Sequence, residues 1–250
     1  MSGSLYADLS AYYDRFCAEV DYAEQCEFAQ RVFDGFASSG GRDYLDLACG
    51  TGQHLRHMQQ RGFTASGLDN SAQMLELAQQ RCPDAQLLLC DLAAFDQRSA
   101  YDLITCFLYS IHYSHPLSSL TQTLQRAWRA LKPGGVFIFN AVDAAGIHND
   151  NKTITQLTDG DSTFTFQSAW HYCGTGEVLD LVLTIRREST AGIQRWSDQH
   201  TMTATSLLQL RTLLEEVGFE VTVLEHDYSL MRMQTARSFN AILIACKPAV

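Results

Sequence analysis

Prolines are scarce, four in 250 residues, and no apolar run approaches the ~18 residues that a membrane-spanning helix needs. Positive charge is also short, with 18 Lys and Arg against 28 Asp and Glu and a net charge of −10. Binding to nucleic acid or to an anionic membrane surface relies on a surplus of cations, so both are disfavoured and a small-molecule partner is expected. The eight cysteines contain no C-x-x-C pair, which removes the usual dithiol and zinc-ribbon signatures. Cys90, Cys106 and Cys246 fall inside apolar stretches instead, as reduced, buried thiols of a cytoplasmic protein would. No signal-peptide pattern opens the chain. His54 and His57, like His112 and His115, are three apart, but no acidic or cysteine cluster completes a ligand set, so no metal is expected. Neither a G-x-x-x-x-G-K-[ST] cradle nor an internal repeat is present.

An apolar share of 46% supports a sizeable core. One motif then dominates: Asp46-Leu47-Ala48-Cys49-Gly50-Thr51-Gly52 ends an apolar stretch, with Asp69 one strand later. Two glycines two apart allow a sharp turn and close approach of a ligand, and an acidic side chain at the next strand end can hold both hydroxyls of a ribose. A dinucleotide fingerprint would place a third glycine at position 55, where Leu55 stands. A nicotinamide-dependent reductase is disfavoured on that ground.

The elements that follow keep a βα rhythm. A helix over 53–61 ends at Gly62, and 63–69 is a strand delivering Asp69. Ser71 is an N-cap for a helix whose apolar face is Met74, Leu75 and Ala78. Residues 86–90 and 101–107 are the third and fourth strands, the third ending at Asp91-Leu92. A helix over 120–131 leads through Lys132-Pro133-Gly134-Gly135 to a fifth strand, 136–140. After a polar stretch, three alternating segments (163–172, 178–188 and 193–203) predict an antiparallel insertion. A helix over 207–217 closed by Gly218 and two last strands, 219–225 and 241–247, complete the chain. Residues 5–36 are predicted largely helical.

The D-L-A-C-G-T-G loop and five elements in this order over 43–140 resemble class I S-adenosylmethionine (SAM) methyltransferases. That resemblance implies an α/β, Rossmann-like seven-stranded sheet with helices on both faces. It divides the chain into an N-terminal helical flap (5–40), a SAM-binding core (43–142 and 204–250) and a small antiparallel β insertion after the fifth strand (143–203) that covers the substrate. Tyr12-Tyr13-Asp14 and Asp21-Tyr22 on the flap, with the insertion, resemble N-methyltransferases of nucleotide-linked amino sugars. Residues 5–10 and 17–22, the run Ile104-Thr105-Cys106-Phe107-Leu108-Tyr109-Ser110-Ile111-His112-Tyr113 and Glu225-His226-Asp227-Tyr228 more nearly resemble the C-terminal methyltransferase domain of ovothiol synthases, which methylates the imidazole of 5-thiohistidine. The full synthases carry an upstream iron-dependent sulfur-transfer part, to which nothing here corresponds, so an excised domain or a free-standing homologue is implied.

The resemblance assigns Tyr22, Asp46, Ala48, Gly50, Gly52, Asp69, Asn70, Met74, Asp91, Leu92 and Phe107 to the cofactor, with Asp91 on the adenine amine and Tyr22 on the methionine carboxylate. Tyr13 is placed near the methyl group, and His112, just beyond the fourth strand, is the second catalytic candidate. Tyr109, Tyr113, Asn140, Asp143, Trp170, His200 and Arg232 are candidates for the substrate, with Arg186, Arg187 and Arg195 as further cations for a carboxylate. Methyl transfer from a sulfonium is an in-line displacement, so holding a nitrogen lone pair roughly 3 Å from the methyl carbon is the main demand. A neutral imidazole needs less help from a base than an alkylammonium, so orienting hydrogen bonds are expected more than a strong base. An amino-sugar or glycine-type N-methyltransferase is the alternative within the same chemistry. A noncatalytic SAM-binding module is the alternative outside it.

Overall fold

The computed structural model describes residues 10–234 and 238–249. The chain runs α1 Ser10–Phe16, α2 Tyr22–Phe36, β1 Asp43–Leu47, α3 Gln53–Gln60, β2 Thr64–Asp69, α4 Ala72–Arg81, β3 Gln86–Leu89, β4 Tyr101–Cys106, α5 Leu117–Ala130 and β5 Leu131–Val142. It continues with β6 Lys152–Asp159, β7 Ser162–Tyr172, β8 Val178–Ser189, β9 Gly192–Thr203, α6 Leu207–Val217, β10 Glu220–Glu225 and β11 Asn240–Cys246. The main sheet has seven strands in the order β10-β11-β5-β4-β1-β2-β3. Strands β1 to β5 are mutually parallel, and β11 enters antiparallel between β5 and β10. Strand order reverses between β1 and β4, which opens a crevice at their carboxyl ends.

Apolar clusters cover both faces of this sheet. One joins Leu45, Leu47 and Phe137 to α5 and α6, and the other joins Tyr44, Leu103 and Ile138 to α2 and α3. The expected α/β class, with a seven-stranded sheet and helices on both faces, holds. Local chemistry explains the element ends. Ser71 accepts a bond from Met74 N at 3.2 Å, and Gly218, at φ 114°, closes α6.

Three expectations shift. The helical stretch 5–36 is broken in its described part, because the Asp21 carboxylate caps a fresh helix by accepting from Glu24 N at 2.8 Å; residues 5–9 lie outside the described residues. The fifth strand begins at Leu131, so Lys132-Pro133-Gly134-Gly135 belongs to it rather than preceding it. The insertion has four strands, β6-β7-β8-β9, not three. Strand β6 reads Lys-Thr-Ile-Thr-Gln-Leu-Thr-Asp and lies at the exposed edge, so it has no apolar alternation to announce it.

The insertion has its own apolar cluster of Phe164, Phe166, Leu179, Leu183 and Ile185, against which Tyr13, Phe16, Tyr109 and Tyr113 pack. Helix α1 is held there by Phe16 edge-on to Phe166 at 5.6 Å and by Arg15 paired with Asp159 at 2.7 Å. Cys106 is fully buried, whereas Cys90 and Cys246 are only partly covered; all eight thiols are free. Among the described residues no helix is long and apolar enough to cross a membrane.

Candidate active site

The turn after β1 carries three left-handed residues, Ala48 (φ 58°), Gly50 (φ 53°) and Gly52 (φ 81°). A Cβ on Gly52 would stand 3.1 Å from that of Ala78, so glycine is needed for α3 to start against α4. Gly52 thus shapes the loop and is not among the residues lining the cavity.

Two adjoining cavities open at this crevice. The larger, about 210 Å³, is lined by Asp69, Asn70, Met74, Asp91 and Leu92 from the ends of β2 and β3 and the start of α4, by Ser110 and Tyr113 from beyond β4, and by His200 of β9. The smaller is bounded by Tyr22, Asp46, Gln53, His54 and Phe107. Tyr13, Ala48, Gly50 and Ser110 line both, so the junction lies beneath the Tyr13 ring.

The acidic side chains are set for polar ligand groups. Asp69, 9% exposed, accepts from Gly50 N and Ser71 N, both at 2.9 Å, which ties the glycine turn to the end of β2. Burial raises its pKa, against the lowering effect of those backbone bonds. Asp91 is exposed and commits one oxygen to Ala93 N at 2.8 Å. Asp46, 1% exposed, takes a bond from the Thr105 hydroxyl at 2.8 Å on Oδ1, while its Oδ2 is buried with no hydrogen-bond partner. That oxygen lies 3.6 Å from His54 Nδ1, and His54 Nε2 is 2.8 Å from Gln25 Oε1.

A buried carboxylate oxygen without a donor is costly unless a ligand supplies one. The ammonium of a SAM methionine part would supply such a donor in the smaller cavity, and Asp69 and Asp91 in the larger would be left for the ribose and adenine that the resemblance assigns to them. The residues present therefore fit the cofactor that the resemblance implies. His54 and Ser110 were not among the sequence candidates. His54 follows the glycine turn by two residues and Ser110 lies inside the quoted Phe107–Tyr113 run, and these positions were the signal.

The expected roles of several residues are corrected. His112 is fully buried, with Nδ1 2.9 Å from Thr203 O and Nε2 accepting from Val142 N at 3.1 Å. Burial lowers its pKa to about 4. With both nitrogens bonded to backbone, the ring braces β5 against β9 and has none to offer a substrate. Asp143 spends its carboxylate on Ala145 N and Leu207 N, capping a short 3-10 turn and α6. Asn140 is 1% exposed and bonds Tyr109 N at 3.1 Å and His226 Nε2 at 3.3 Å. Tyr109, itself left-handed at φ 61°, stacks on His226 at 5.6 Å and meets Trp170 edge-on at 5.9 Å. These three form a support behind the cavity, not its wall. Arg232 is exposed beside Glu225. Arg187 is bonded to Ser162 Oγ, Arg186 pairs with Glu188, and Arg195 is exposed. No Lys or Arg lines either cavity among the described residues. No group of His, Cys, Asp and Glu is arranged to hold a metal there either.

Comparisons with known proteins agree with this geometry. Residues 45–135 match the family model described as a methyltransferase domain. A putative methyltransferase of Geobacillus sp. (strain WCH70) is 24% identical over 235 residues, covering 90% of this chain and 92% of that protein. The dTDP-4-amino-2,3,4,6-tetradeoxy-D-glucose N,N-dimethyltransferase of Saccharopolyspora spinosa is 31% identical over 51% of this chain and 64% of its own length. A solved sugar N-methyltransferase from Streptoalloteichus sp. superposes with a TM-score of 0.80 at 21% identity, over 99% of this chain and 94% of that one. A SAM-bound amino pentose methyltransferase from Micromonospora echinaspora gives 0.79 at 20% identity, covering 99% and 100%. At these identities the structures establish the fold. With the glycine turn, the paired cavities and the matched domain, the chain is a SAM-dependent methyltransferase of the class I fold.

Proposed function

We propose that this enzyme methylates a ring or amine nitrogen of a compact acceptor, and that the acceptor is the imidazole of 5-thiohistidine. The observation that carries this reading is the acceptor side of the larger cavity. Its walls are Tyr13, Ser110, Tyr113 and His200, with no cation among the described residues. Aromatic faces suit a planar ring, whereas the diphosphate of a nucleotide-linked sugar calls for Arg or Lys. The bound cofactor supplies an electrophilic methyl on a sulfonium. The chain's own part is to hold the ring nitrogen in line with it and the more nucleophilic sulfur out of line. Tyr13, at the junction of the two cavities, is the positioning residue for that step. On this reading β6–β9 covers the acceptor, which is supplied by an iron-dependent sulfur-transfer domain or protein.

The relatives favour a second reading. The Saccharopolyspora enzyme and the Micromonospora structure are named for amino sugars and the Streptoalloteichus structure as a sugar N-methyltransferase, which supports an amino-sugar nitrogen as acceptor. Calorimetric titration of the enzyme loaded with S-adenosylhomocysteine separates the two. Saturable binding of 5-thiohistidine, with none of a dTDP-linked amino sugar, is expected. Binding of the nucleotide sugar alone would transfer the assignment to the second reading.

A further inference from the structure

On the inward face of the insertion sheet, β8 is apolar and β9 beside it carries two ionisable side chains. On β8 the inward positions are Leu179, Leu181, Leu183 and Ile185, all buried. On β9 alternation turns Trp196, Asp198, His200 and Met202 to the same side, with their neighbours Ser197, Gln199 and Thr201 exposed. The register sets Leu183 opposite Asp198 and Leu181 opposite His200. A carboxylate and an imidazole thus occupy places where packing alone asks for Val or Leu.

They are also close. His200 Nε2 lies 3.0 Å from Asp198 Oδ2, with side-chain exposures of 10% and 27%. That distance is that of an ion pair once the ring carries a proton. His200 also lines the larger cavity and stands edge-on to Tyr113 at 5.5 Å, another lining residue. The other ionisable groups lining this cavity are Tyr13, Asp69, Cys90, Asp91 and Tyr113. Asp69 is tied to the glycine turn and Asp91 to its own turn, so His200 is the nitrogen base among the groups lining the cavity.

We propose that His200 is the catalytic proton acceptor of the reaction and that Asp198 is the positioning residue that supplies its counter-charge. The proposal rests on nitrogen being the methylated atom. The acceptor nitrogen gives its lone pair to the methyl carbon. As that N–C bond forms, the C–S bond breaks, and its electron pair stays on sulfur as a neutral thioether. The acceptor, now one positive charge richer, releases a proton to the His200 ring. The imidazolium so formed pairs with Asp198 and later returns the proton to solvent. His200 thereby takes the role that His112, with both nitrogens spent on backbone, does not have.

The test compares wild type, His200→Gln, His200→Ala and Asp198→Asn, each with its best acceptor and saturating SAM. His200→Gln keeps the volume and a hydrogen-bonding end but takes no proton, so kcat should fall by about 100-fold with SAM affinity unchanged by calorimetry. Adding free imidazole should restore part of the turnover of His200→Ala, and Asp198→Asn should lower kcat by a smaller factor without raising KM for the acceptor. A merely structural role predicts no imidazole rescue. His200→Gln within threefold of wild type, or His200→Ala that binds SAM normally yet gains nothing from imidazole, overturns the proposal. Failure of the nitrogen reading is separate: it would appear in the wild-type arm, as a product methylated on sulfur or oxygen.

Discussion

Asp69 carries two burdens at once, since the carboxylate that faces the nucleoside side of the cavity also accepts from Gly50 N and Ser71 N. Asp69→Ala therefore removes a charge-assisted acceptor and loosens the glycine turn. It should weaken SAM binding by about 2–3 kcal/mol. Asp91→Asn keeps a neutral acceptor at a more exposed place and should cost only about 1 kcal/mol. Calorimetry checks the order, and a larger loss at Asp91 would exchange the two roles. Tyr13 packs over Gly50, 3.7 Å from where a Cβ there would stand, at the junction of both cavities. If its hydroxyl aligns the acceptor, Tyr13→Phe lowers kcat while SAM affinity holds, because the contact belongs to the transition state. With 5-thiohistidine the misaligned thiolate should then compete, and fragmentation mass spectrometry should find some S-methyl product. A Tyr13→Phe enzyme with normal turnover and only N-methyl product would remove Tyr13 from the step.

Between elements, the contact that closes the site is a latch from α1 to the glycine turn. Thr51 Oγ1 donates to Asp14 Oδ1 at 2.6 Å, Arg81 on α4 pairs with Asp14 Oδ2 at 2.5 Å, and the same guanidinium bonds Thr51 O. These groups lie 37 and 67 residues apart in sequence, so no local pattern announced them, whereas the D-L-A-C-G-T-G turn and Asp69 were legible because their spacing is set within one βαβ unit. Removing either partner frees α1 to swing from the cavity mouth. Asp14→Asn and Arg81→Gln should each raise the rate of SAM release about fivefold to tenfold, and the double variant should add little more. Equal release rates in stopped-flow traces of all three variants and wild type would show that α1 does not latch.

His112 shows the other limit of sequence reading. Its place after β4 suggested catalysis, but which way the ring turns depends on β9, 91 residues away. The edge strand β6, without apolar alternation, was lost for a different reason. The strand 193–203, by contrast, was legible from its alternation, and His200 was already a substrate candidate. The buried His112 has a pH consequence. Its pKa is about 4 folded, against an ordinary 6.5, so below 6.5 the unfolded chain binds a proton that the native ring refuses. Stability from this group is complete above pH 6.5 and is lost as pH falls toward 4, by roughly 3 kcal/mol. Burial lowers the pKa of His226 as well, adding to the same slope. Urea melts from pH 7 to 4 should show this fall, reduced in His112→Gln. An unchanged slope in that variant would contradict the assignment.

For the molecule as a whole, a mixed sheet covered on both faces brings the glycine turn, the Asp69 strand end and the insertion to one crevice in a chain of net charge −10. On the proposed reading, this crevice carries a methyl from SAM to the nitrogen of a compact ring. A competition measures it most directly. The enzyme is given limiting SAM with equimolar 5-thiohistidine and a dTDP-linked amino sugar, and the methylated products are separated and identified by fragmentation mass spectrometry. The account predicts that N-methyl-5-thiohistidine takes nearly all of the transferred methyl. Methyl found on the amino sugar, with 5-thiohistidine returned unchanged, would contradict it.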